Sequence, residues 1–307
     1  MKAVICTKYG LPEVLQLKEV TKPKPKDNEV LIKIYATSVT ASDCIIRGFK
    51  LPITMWIPAR LALGLTKPRK AILGLVLSGE IERIGNKVAQ FNIGDKVFAH
   101  TLFRFGTYAE YTCVPESSAI ARMPSNTSFE EAAAIPFGGT LALYYLKKAN
   151  IQKGQKILIY GASGAIGTSA IQLAKYFGAE VSGVCSTTNL ELVKSLGANA
   201  VIDYTAEDFT ESGKHYDFIF DAVGKKKSSH LLFKKALTQY GKFISVDDDS
   251  PGVKAVCKEN MNILKGLTEN GIIKPVIDRI YSLDQIVEAH RYVDKGHKKG
   301  NVVWKIS

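Results

Sequence analysis

Three glycines spaced three residues apart, Gly161, Gly164 and Gly167, stand between an apolar run and a helical pattern. A glycine-rich turn that opens a helix brings backbone N–H groups and the positive end of the helix dipole to one place, and both attract phosphate. The first glycine allows a tight exit from the strand, the second lets a pyrophosphate approach the backbone, and the third lets the helix pack on the sheet. The spacing is one residue longer than the usual G-x-G-x-x-G, but it has the required strand-turn-helix context. We therefore predict that a dinucleotide binds the whole turn, which consists of Gly161, Ala162, Ser163, Gly164, Ala165, Ile166 and Gly167.

The end of the next strand bears on which dinucleotide binds. An acidic residue about 20 residues past the glycines would bind the ribose 2′-hydroxyl and repel a 2′-phosphate. The sequence there is Cys185-Ser-Thr-Thr-Asn189, which has no carboxylate. The hydroxyls of Ser186 and Thr187 can donate to phosphate oxygens, and Lys194 follows nearby. The same residues are also good helix N-caps, and that alternative stays open because a cap and an anion site use the same geometry. The missing acid favours NADPH over NADH.

Short apolar runs alternate with helical segments around this turn, a pattern typical of a parallel sheet covered on both faces. We expect a Rossmann, doubly wound arrangement. The strands are predicted at 180–185, 200–203, 217–221 and 242–246, and the helices at 190–196, 228–237 and 254–270.

The first 120 residues have a different pattern, with short strands separated by turn residues, and this predicts an all-β, barrel-like region. The chain ends with a short strand-like piece after Gly271, a helix at 283–293 and a strand at 302–306 that we expect to return to the first region. The strands of the first region are predicted at 1–6, 29–35, 78–84, 95–99 and 106–114.

Motifs along nearly the whole chain resemble the medium-chain dehydrogenase/reductase superfamily, in its zinc-independent quinone oxidoreductase branch. Among them are Ala36-Thr-Ser-Val-Thr-Ala-Ser-Asp43, Ser78-Gly-Glu-Ile-Glu-Arg-Ile-Gly85, Gly106-Thr-Tyr-Ala-Glu-Tyr111 and Tyr216-Asp-Phe-Ile-Phe-Asp-Ala-Val-Gly224. The resemblance implies an α/β protein with a GroES-like β-barrel catalytic domain at 1–122 and 272–307. A Rossmann NADP-binding domain at 123–271 would be inserted into it.

The resemblance also implies further cofactor contacts. The Asp203-Tyr204 pair and the turn at Ala222, Val223 and Gly224 lie where relatives line the adenosine and nicotinamide paths. For Tyr204 the alternative is a rim residue that covers the sheet edge. Thr140 is expected to start a helix, where it would cap that helix, contact the nicotinamide ribose, or do both.

Zinc ligands are missing from the positions at which the resemblance would place them. Zinc-dependent relatives carry a Cys about where Thr40 stands and a Gly-His-Glu where this chain has Gly74-Leu-Val, and the four-cysteine structural lobe is also missing. The five histidines form no ligand spacing. We predict no metal, which disfavours alcohol oxidation because no Lewis acid would stabilise an alkoxide. Thr40 is our candidate for contact with nicotinamide or substrate, although relatives commonly have Asn there; the alternative is an ordinary polar residue at a strand end.

Composition limits the remaining function classes. The net charge is +12, but the basic residues are spread along the chain without an RNA- or zinc-finger motif, so nucleic acid is a disfavoured partner. No run would span a bilayer and no signal peptide is recognised, so we expect no membrane partner. The five scattered cysteines have no C-x-x-C spacing and favour a cytoplasmic protein with reduced thiols.

Two departures from the family pattern bear on substrate and assembly. The segment at 51–69 is apolar and contains several prolines. It resembles a substrate lid in which Met55 and Trp56 would stack on a flat ring. A core loop and a dimer contact are equally favoured alternatives. Relatives often have a further strand after Val246 that meets the partner subunit, and this sequence has no such strand. Dimerisation through that sheet edge is therefore disfavoured, while a homodimer through another surface stays possible.

Three functional hypotheses follow from the sequence. The first is an NADPH-dependent reductase of quinones or α,β-unsaturated carbonyls, whose partner is a small electrophilic acceptor. The second is an NADPH-binding regulatory or structural protein with little turnover. The third is a nucleic-acid-binding module, whose affinity would fall steeply with salt.

Overall fold

The computed structural model describes residues 1–211, 213–224, 233–248 and 251–306. The chain divides into two compact units: the first consists of Met1–Phe137, Val256–Gly266 and Ile277–Ser307, and the second of Gly138–Ala255 and Leu267–Val276. The strands of the described residues are β1 Lys2–Cys6, β2 Leu15–Glu19, β3 Glu29–Val39, β4 Val76–Ile84, β5 Lys96–His100, β6 Tyr111–Pro115, β7 Ala119–Arg122, β8 Lys156–Tyr160, β9 Glu180–Cys185, β10 Ala200–Asp203, β11 Tyr216–Asp221, β12 Leu237–Ser245, β13 Ile277–Tyr281 and β14 Asn301–Lys305. The α-helices are α1 Ala41–Gly48, α2 Trp56–Leu63, α3 Phe129–Ala134, α4 Pro136–Ala149, α5 Ala165–Tyr176, α6 Leu190–Ser195, α7 Lys258–Glu269 and α8 Ile286–Asp294.

The first unit is built on a largely antiparallel sheet in the order β13-β14-β3-β4-β5-β7, with β6 also paired to β3 and with β1 and β2 forming a separate hairpin. The central strand β3 is buried along almost its whole length, and apolar residues such as Ile32, Val97 and Trp304 fill the core beneath it. The strand predicted at 302–306 is β14, which pairs with β3 and thus confirms that the chain end returns to the first unit.

Helices α1 and α2 and strands β2 and β7 were missed by the prediction of an all-β first region. For α1 a local signal was present: Thr40 and Asp43 form a capping box, in which each side chain accepts the backbone N–H of the other residue. The core-loop alternative for 51–69 is wrong, because this segment contains α2 and most of its residues are exposed.

The second unit contains a five-stranded parallel sheet in the order β10-β9-β8-β11-β12, which confirms the doubly wound prediction. Strands β9 and β10 have the predicted bounds, whereas β12 begins earlier, at Leu237. The helix predicted at 228–237 falls partly on residues 225–232, which lie outside the described residues, and its predicted end is wrong because Leu237 is a strand residue. Helix α7 was predicted to begin at Lys254, but it begins at Lys258, and Lys254 lies in a short 3-10 turn that precedes it.

None of the helices within the described ranges has both the length and the apolar character needed to cross a membrane.

Candidate functional site

The predicted glycine turn joins β8 to α5. Gly161 has a left-handed φ of +76°, a conformation that favours glycine, and Gly164 is the N-cap of α5. A Cβ on Gly167 would lie 2.2 Å from the carbonyl oxygen of Gly161, so the helix can pack on the turn only without a side chain there. A Cβ on Gly164 would meet that same oxygen at 3.5 Å, an ordinary contact, so the described residues do not crowd the start of the helix. The first N–H groups of α5, which have no acceptor within the helix itself, begin next to this glycine.

The parallel strands bring the other predicted cofactor residues to the same edge of the sheet. β8, β9, β10 and β11 all run in one direction and end at Tyr160, Cys185, Asp203 and Asp221. β8 lies between β9 and β11, so the strand order reverses beside the glycine turn, which is where ligands bind in open α/β sheets. This edge carries Ser186, Thr187, Tyr204, Val223 and Gly224.

Asn189 connects the end of β9 to the glycine turn. Its Nδ2 donates to Ser163 Oγ (3.2 Å) and to Ser186 Oγ (3.1 Å). The amide thus occupies an acceptor position of the Ser186 hydroxyl, whose oxygen also lies 3.5 Å from Thr188 Oγ1. Neither Ser186 nor Asn189 makes a side-chain capping bond to the helical turns that follow, so the capping alternative is not realised. Lys194 lies in the last turn of α6, at the far end of that helix from Ser186.

Thr187 is held by the carboxylate of Asp203, a bond that was not predicted from the sequence. Its Oγ1 donates to Asp203 Oδ2 (2.5 Å), and Thr205 donates to Oδ1 through its N–H and its hydroxyl. The bonds from Thr187 and Thr205 lower the pKa of the Asp203 carboxyl, which is therefore ionised. The proton of Thr187 is accordingly directed at Asp203. Tyr204 follows on the rim, half exposed, with its ring centroid 6.4 Å from that of Tyr160.

A buried aspartate shapes the turn that contains Val223 and Gly224. Asp221 Oδ1 accepts from the N–H groups of both residues (3.0 and 3.2 Å), and Ser245 Oγ donates to Oδ2 (3.0 Å). Val223 is left half exposed at the sheet edge. Asp221 is thus a positioning residue, and its signal in the sequence is an aspartate at a strand end followed by a short turn.

Thr140 does not start its helix. Helix α4 begins at Pro136, a residue favoured at the first helical position, so Thr140 lies in the second turn and is fully buried. The prediction that it caps the helix is wrong, and its contact with the ribose stays a prediction.

Thr40, in the first unit, lies directly after β3 as the N-cap of α1. Its Oγ1 donates to Asp43 Oδ2 (2.7 Å) and accepts from the Asp43 N–H (3.2 Å), and both residues are buried. Burial raises the pKa of the Asp43 carboxyl to about 6, while neighbouring donors on Thr40, Tyr108 and Gly74 act in the opposite direction. The hydroxyl proton of Thr40 is engaged within the helix cap, and a role in catalysis stays a prediction.

Metal ligands were not expected, and the described part of the chain contains no group of three His, Cys, Asp or Glu side chains that could hold an ion. Cys44 Sγ lies 3.3 Å from His290 Nδ1 in the core of the first unit. Burial lowers the pKa values of His100 and His290 to about 3, so both imidazoles are neutral packing residues.

The parallel sheet with its glycine turn at the point of strand reversal defines the class of Rossmann dinucleotide-binding proteins. Comparison with known families narrows this class. The family described as "Alcohol dehydrogenase GroES-like domain" matches residues 26–125, and the family described as "Zinc-binding dehydrogenase" matches residues 196–303.

Individual relatives agree over the full chain. The chain is 35% identical to a 2-methylene-furan-3-one reductase of Solanum lycopersicum, covering 99% of this chain and 78% of that protein. It is 31% identical to a chloroplastic NADPH-dependent alkenal/one oxidoreductase of Arabidopsis thaliana, covering 99% and 79%. Among solved structures, the quinone oxidoreductase from Coxiella burnetii superposes with a TM-score of 0.83 at 28% identity, covering 100% of this chain and 99% of that one. The chain belongs to the medium-chain dehydrogenase/reductase superfamily, in its zinc-independent quinone oxidoreductase branch, with a GroES-like domain and a Rossmann domain.

Proposed function

We propose that this protein is an NADPH-dependent oxidoreductase that transfers a hydride to quinones or α,β-unsaturated carbonyls without zinc. The observation that carries the proposal is the sheet edge of the second unit, where the glycine turn and the hydroxyl-bearing end of β9 are joined through Asn189. The names of the relatives support the acceptor class, since they include an alkenal/one oxidoreductase and quinone oxidoreductases.

The residues at this edge fit a phosphorylated dinucleotide. The first N–H groups of α5, beside Gly164, would hold the pyrophosphate, since both the helix dipole and these N–H groups favour an anion. Ser186 would donate to the 2′-phosphate, with Asn189 holding its oxygen in place. Tyr204 would cover the adenosine, and Val223 and Gly224, shaped by Asp221, would line the nicotinamide path.

When bound, NADPH supplies the hydride and the electron pair. The protein's part is to orient the donor and to select an acceptor that is already electron-poor, because Thr40 and Gly74-Leu-Val stand in place of zinc ligands. Thr40 Oγ1 shares its proton with Asp43, so in this arrangement water is the proposed source of the proton that completes the reduction.

The proposal also includes a metal-free state and a cytoplasmic location. Its domain boundaries are those given above, with a catalytic domain at 1–122 and 272–307 and a nucleotide-binding domain at 123–271. All five cysteines are free thiols, as a reducing compartment requires.

A spectrophotometric screen of the purified chain tests the function. We expect oxidation of NADPH with a naphthoquinone, an enal or an enone, insensitive to a metal chelator, and much weaker turnover with NADH. Tight NADPH binding with negligible turnover on every acceptor would contradict the reductase and support the regulatory alternative.

Ser186→Asp tests the 2′-phosphate site. A carboxylate at this position repels the phosphate and can accept from a ribose 2′-hydroxyl, so we expect the Kd for NADPH to rise about 30-fold, roughly 2 kcal/mol, with the Kd for NADH changed little. Titration of cofactor fluorescence measures both constants. Ser195→Asp is the matched control, since Ser195 ends α6 and lies away from this edge. Equal loss of both cofactors in Ser186→Asp would contradict the assignment.

A further inference from the structure

An apolar face lies exposed on the first unit, on the segment around α2. It consists of Ile53, Ile57, Leu61 and Leu65, whose exposed fractions are 82, 75, 61 and 66%. Ile57 and Leu61 lie one turn apart on α2, Ile53 lies in the 3-10 turn before it, and Leu65 follows Gly64, at which the helix ends. Scattered single apolar residues on a surface are normal, but four large exposed aliphatic residues within one short segment are typical of an interaction site.

Contacts with Phe49 and Tyr9 hold the segment on the first unit and leave the apolar face outward, with Trp56 half exposed. The Trp56 ring contacts that of Phe49 with a centroid distance of 6.1 Å, and the guanidinium of Arg60 stacks on Phe49 at 4.1 Å. The Tyr9 hydroxyl donates to the carbonyl of Gly64 (3.0 Å), directly after the helix. These contacts fix the helix on the first unit by its polar and aromatic side.

The charge next to this face has one sign. No acidic residue stands between Asp43 and Glu80, whereas Lys67, Arg69 and Lys70 follow the apolar face directly. All three are exposed, and none forms an ion pair with the residues that the structure describes.

Two neighbouring cavities extend this positive charge. The first, of about 630 Å³, is lined by Leu65 of the apolar face together with Lys18, Lys67 and Arg69. The second, of about 510 Å³, shares Arg69 and adds Lys26, Lys70 and Arg104, with Glu29 as its one acidic lining residue. The end of the apolar face thus opens onto a basic margin wide enough for anionic headgroups.

We propose that this surface docks the protein on an anionic lipid bilayer. An aliphatic face inserts at the boundary between headgroups and acyl chains, while adjacent lysines and arginines bind the negative surface, which is the way interfacial amphipathic helices hold a membrane. The expectation of no membrane partner rested on the absence of a spanning run, and a peripheral contact requires none.

A second copy of this chain fits the surface less well. A two-fold contact places the same patch against itself, so Lys67, Arg69 and Lys70 of both copies would meet. Like charges brought together in this way oppose association, whereas an anionic bilayer complements them.

Binding of the full chain to vesicles tests the proposal. We expect co-sedimentation with vesicles of phosphatidylcholine containing about one third phosphatidylserine, weak binding to phosphatidylcholine alone, and a loss of binding at high salt. Trp56 reports on the headgroup region beside the inserted face, because it precedes Ile57 at the start of α2 and is 47% exposed, whereas the second tryptophan, Trp304, is fully buried in the core. Its emission should shift to the blue on anionic vesicles and be quenched by brominated lipids, in wild-type protein and independently of activity.

Ile57→Glu should weaken partitioning to anionic vesicles at least tenfold, since a charge enters the inserted face. Ile93→Glu is the matched control: Ile93 is similarly exposed but lies in the turn between β4 and β5, and binding should be unchanged. Absence of the Trp56 shift in wild type, or equal binding by Ile57→Glu, would overturn the proposal. So would sedimentation velocity that shows a wild-type dimer and a monomeric Ile57→Glu, which would identify the face as a contact between copies.

Discussion

Asp294→Ala should lower the free energy of unfolding by about 3 kcal/mol, measured by urea denaturation at neutral pH. Arg47 is fully buried, and its guanidinium donates to Asp294 Oδ2 at 2.5 Å. Its Nε and Nη1 atoms are buried without a partner among the described residues, so the aspartate carries most of the compensation for this charge. Removal of one partner of a buried pair costs about 3–5 kcal/mol, and we take the lower end because the Asp294 side chain is 20% exposed.

Two variants separate this cause from a general effect of changing α8. Glu13→Ala breaks the ion pair with Arg291 on the same helix, and because both side chains are about half exposed it should leave stability nearly unchanged. In the Asp294→Ala background, Arg47→Met should restore stability in part, since the unpaired buried charge is then gone. A double variant less stable than Asp294→Ala alone would contradict the argument.

The pH dependence of the same pair has a definite sign. Partial burial raises the pKa of Asp294, but the bonds and charges of Lys50 and Arg47 outweigh it and hold the pKa below its ordinary value of 3.8. A carboxyl with a lowered folded-state pKa contributes stability above its unfolded pKa and loses it as the pH falls through the folded value. The advantage of wild type over Asp294→Ala should therefore be complete at neutral pH and shrink below about pH 4.

The second unit was largely predictable because its signals are local. The strand bounds of β9 and β10 follow from short β-branched runs ended by polar or turn residues, and the glycine turn requires φ and space that only glycine provides at Gly161 and Gly167. The edge at which the strand ends meet follows from parallel pairing alone.

The features that were not predicted depend on contacts between residues distant in sequence, or on which side of a helix or strand faces the solvent. Asp203, at the end of β10, accepts a hydrogen bond from Thr187, which follows the neighbouring strand β9. Nothing in the sequence around Thr187 indicates this bond. The apolar run at 51–69 has the same hydrophobic pattern whether it faces a core or the solvent, so its exposure could not be read from composition. The buried pair of Arg47 and Asp294 joins residues 247 positions apart.

Gly167→Ala should lower stability by about 1–3 kcal/mol and weaken dinucleotide binding about tenfold or more. The added Cβ would lie 2.2 Å from the carbonyl oxygen of Gly161 and 2.8 Å from backbone atoms of Ala162. All three neighbours are backbone, so no flexible side chain can move aside, and α5 must shift away from the turn. Such a shift displaces the N–H groups proposed to hold the pyrophosphate, so thermal unfolding and a fluorescence titration with NADPH should report the change together.

Gly266→Ala is the matched control, because it is also a helical glycine and a Cβ there would meet nothing within 4 Å. An alanine in an open helical position stabilises by about 0.5–1 kcal/mol, since glycine loses more backbone entropy on folding. The same substitution should therefore change the Tm in opposite directions in the two helices, raising it at position 266 and lowering it at position 167. If Gly167→Ala also raised the Tm and kept NADPH affinity, α5 would not depend on close contact with Gly161, and the turn could not be assigned the role of setting the phosphate site.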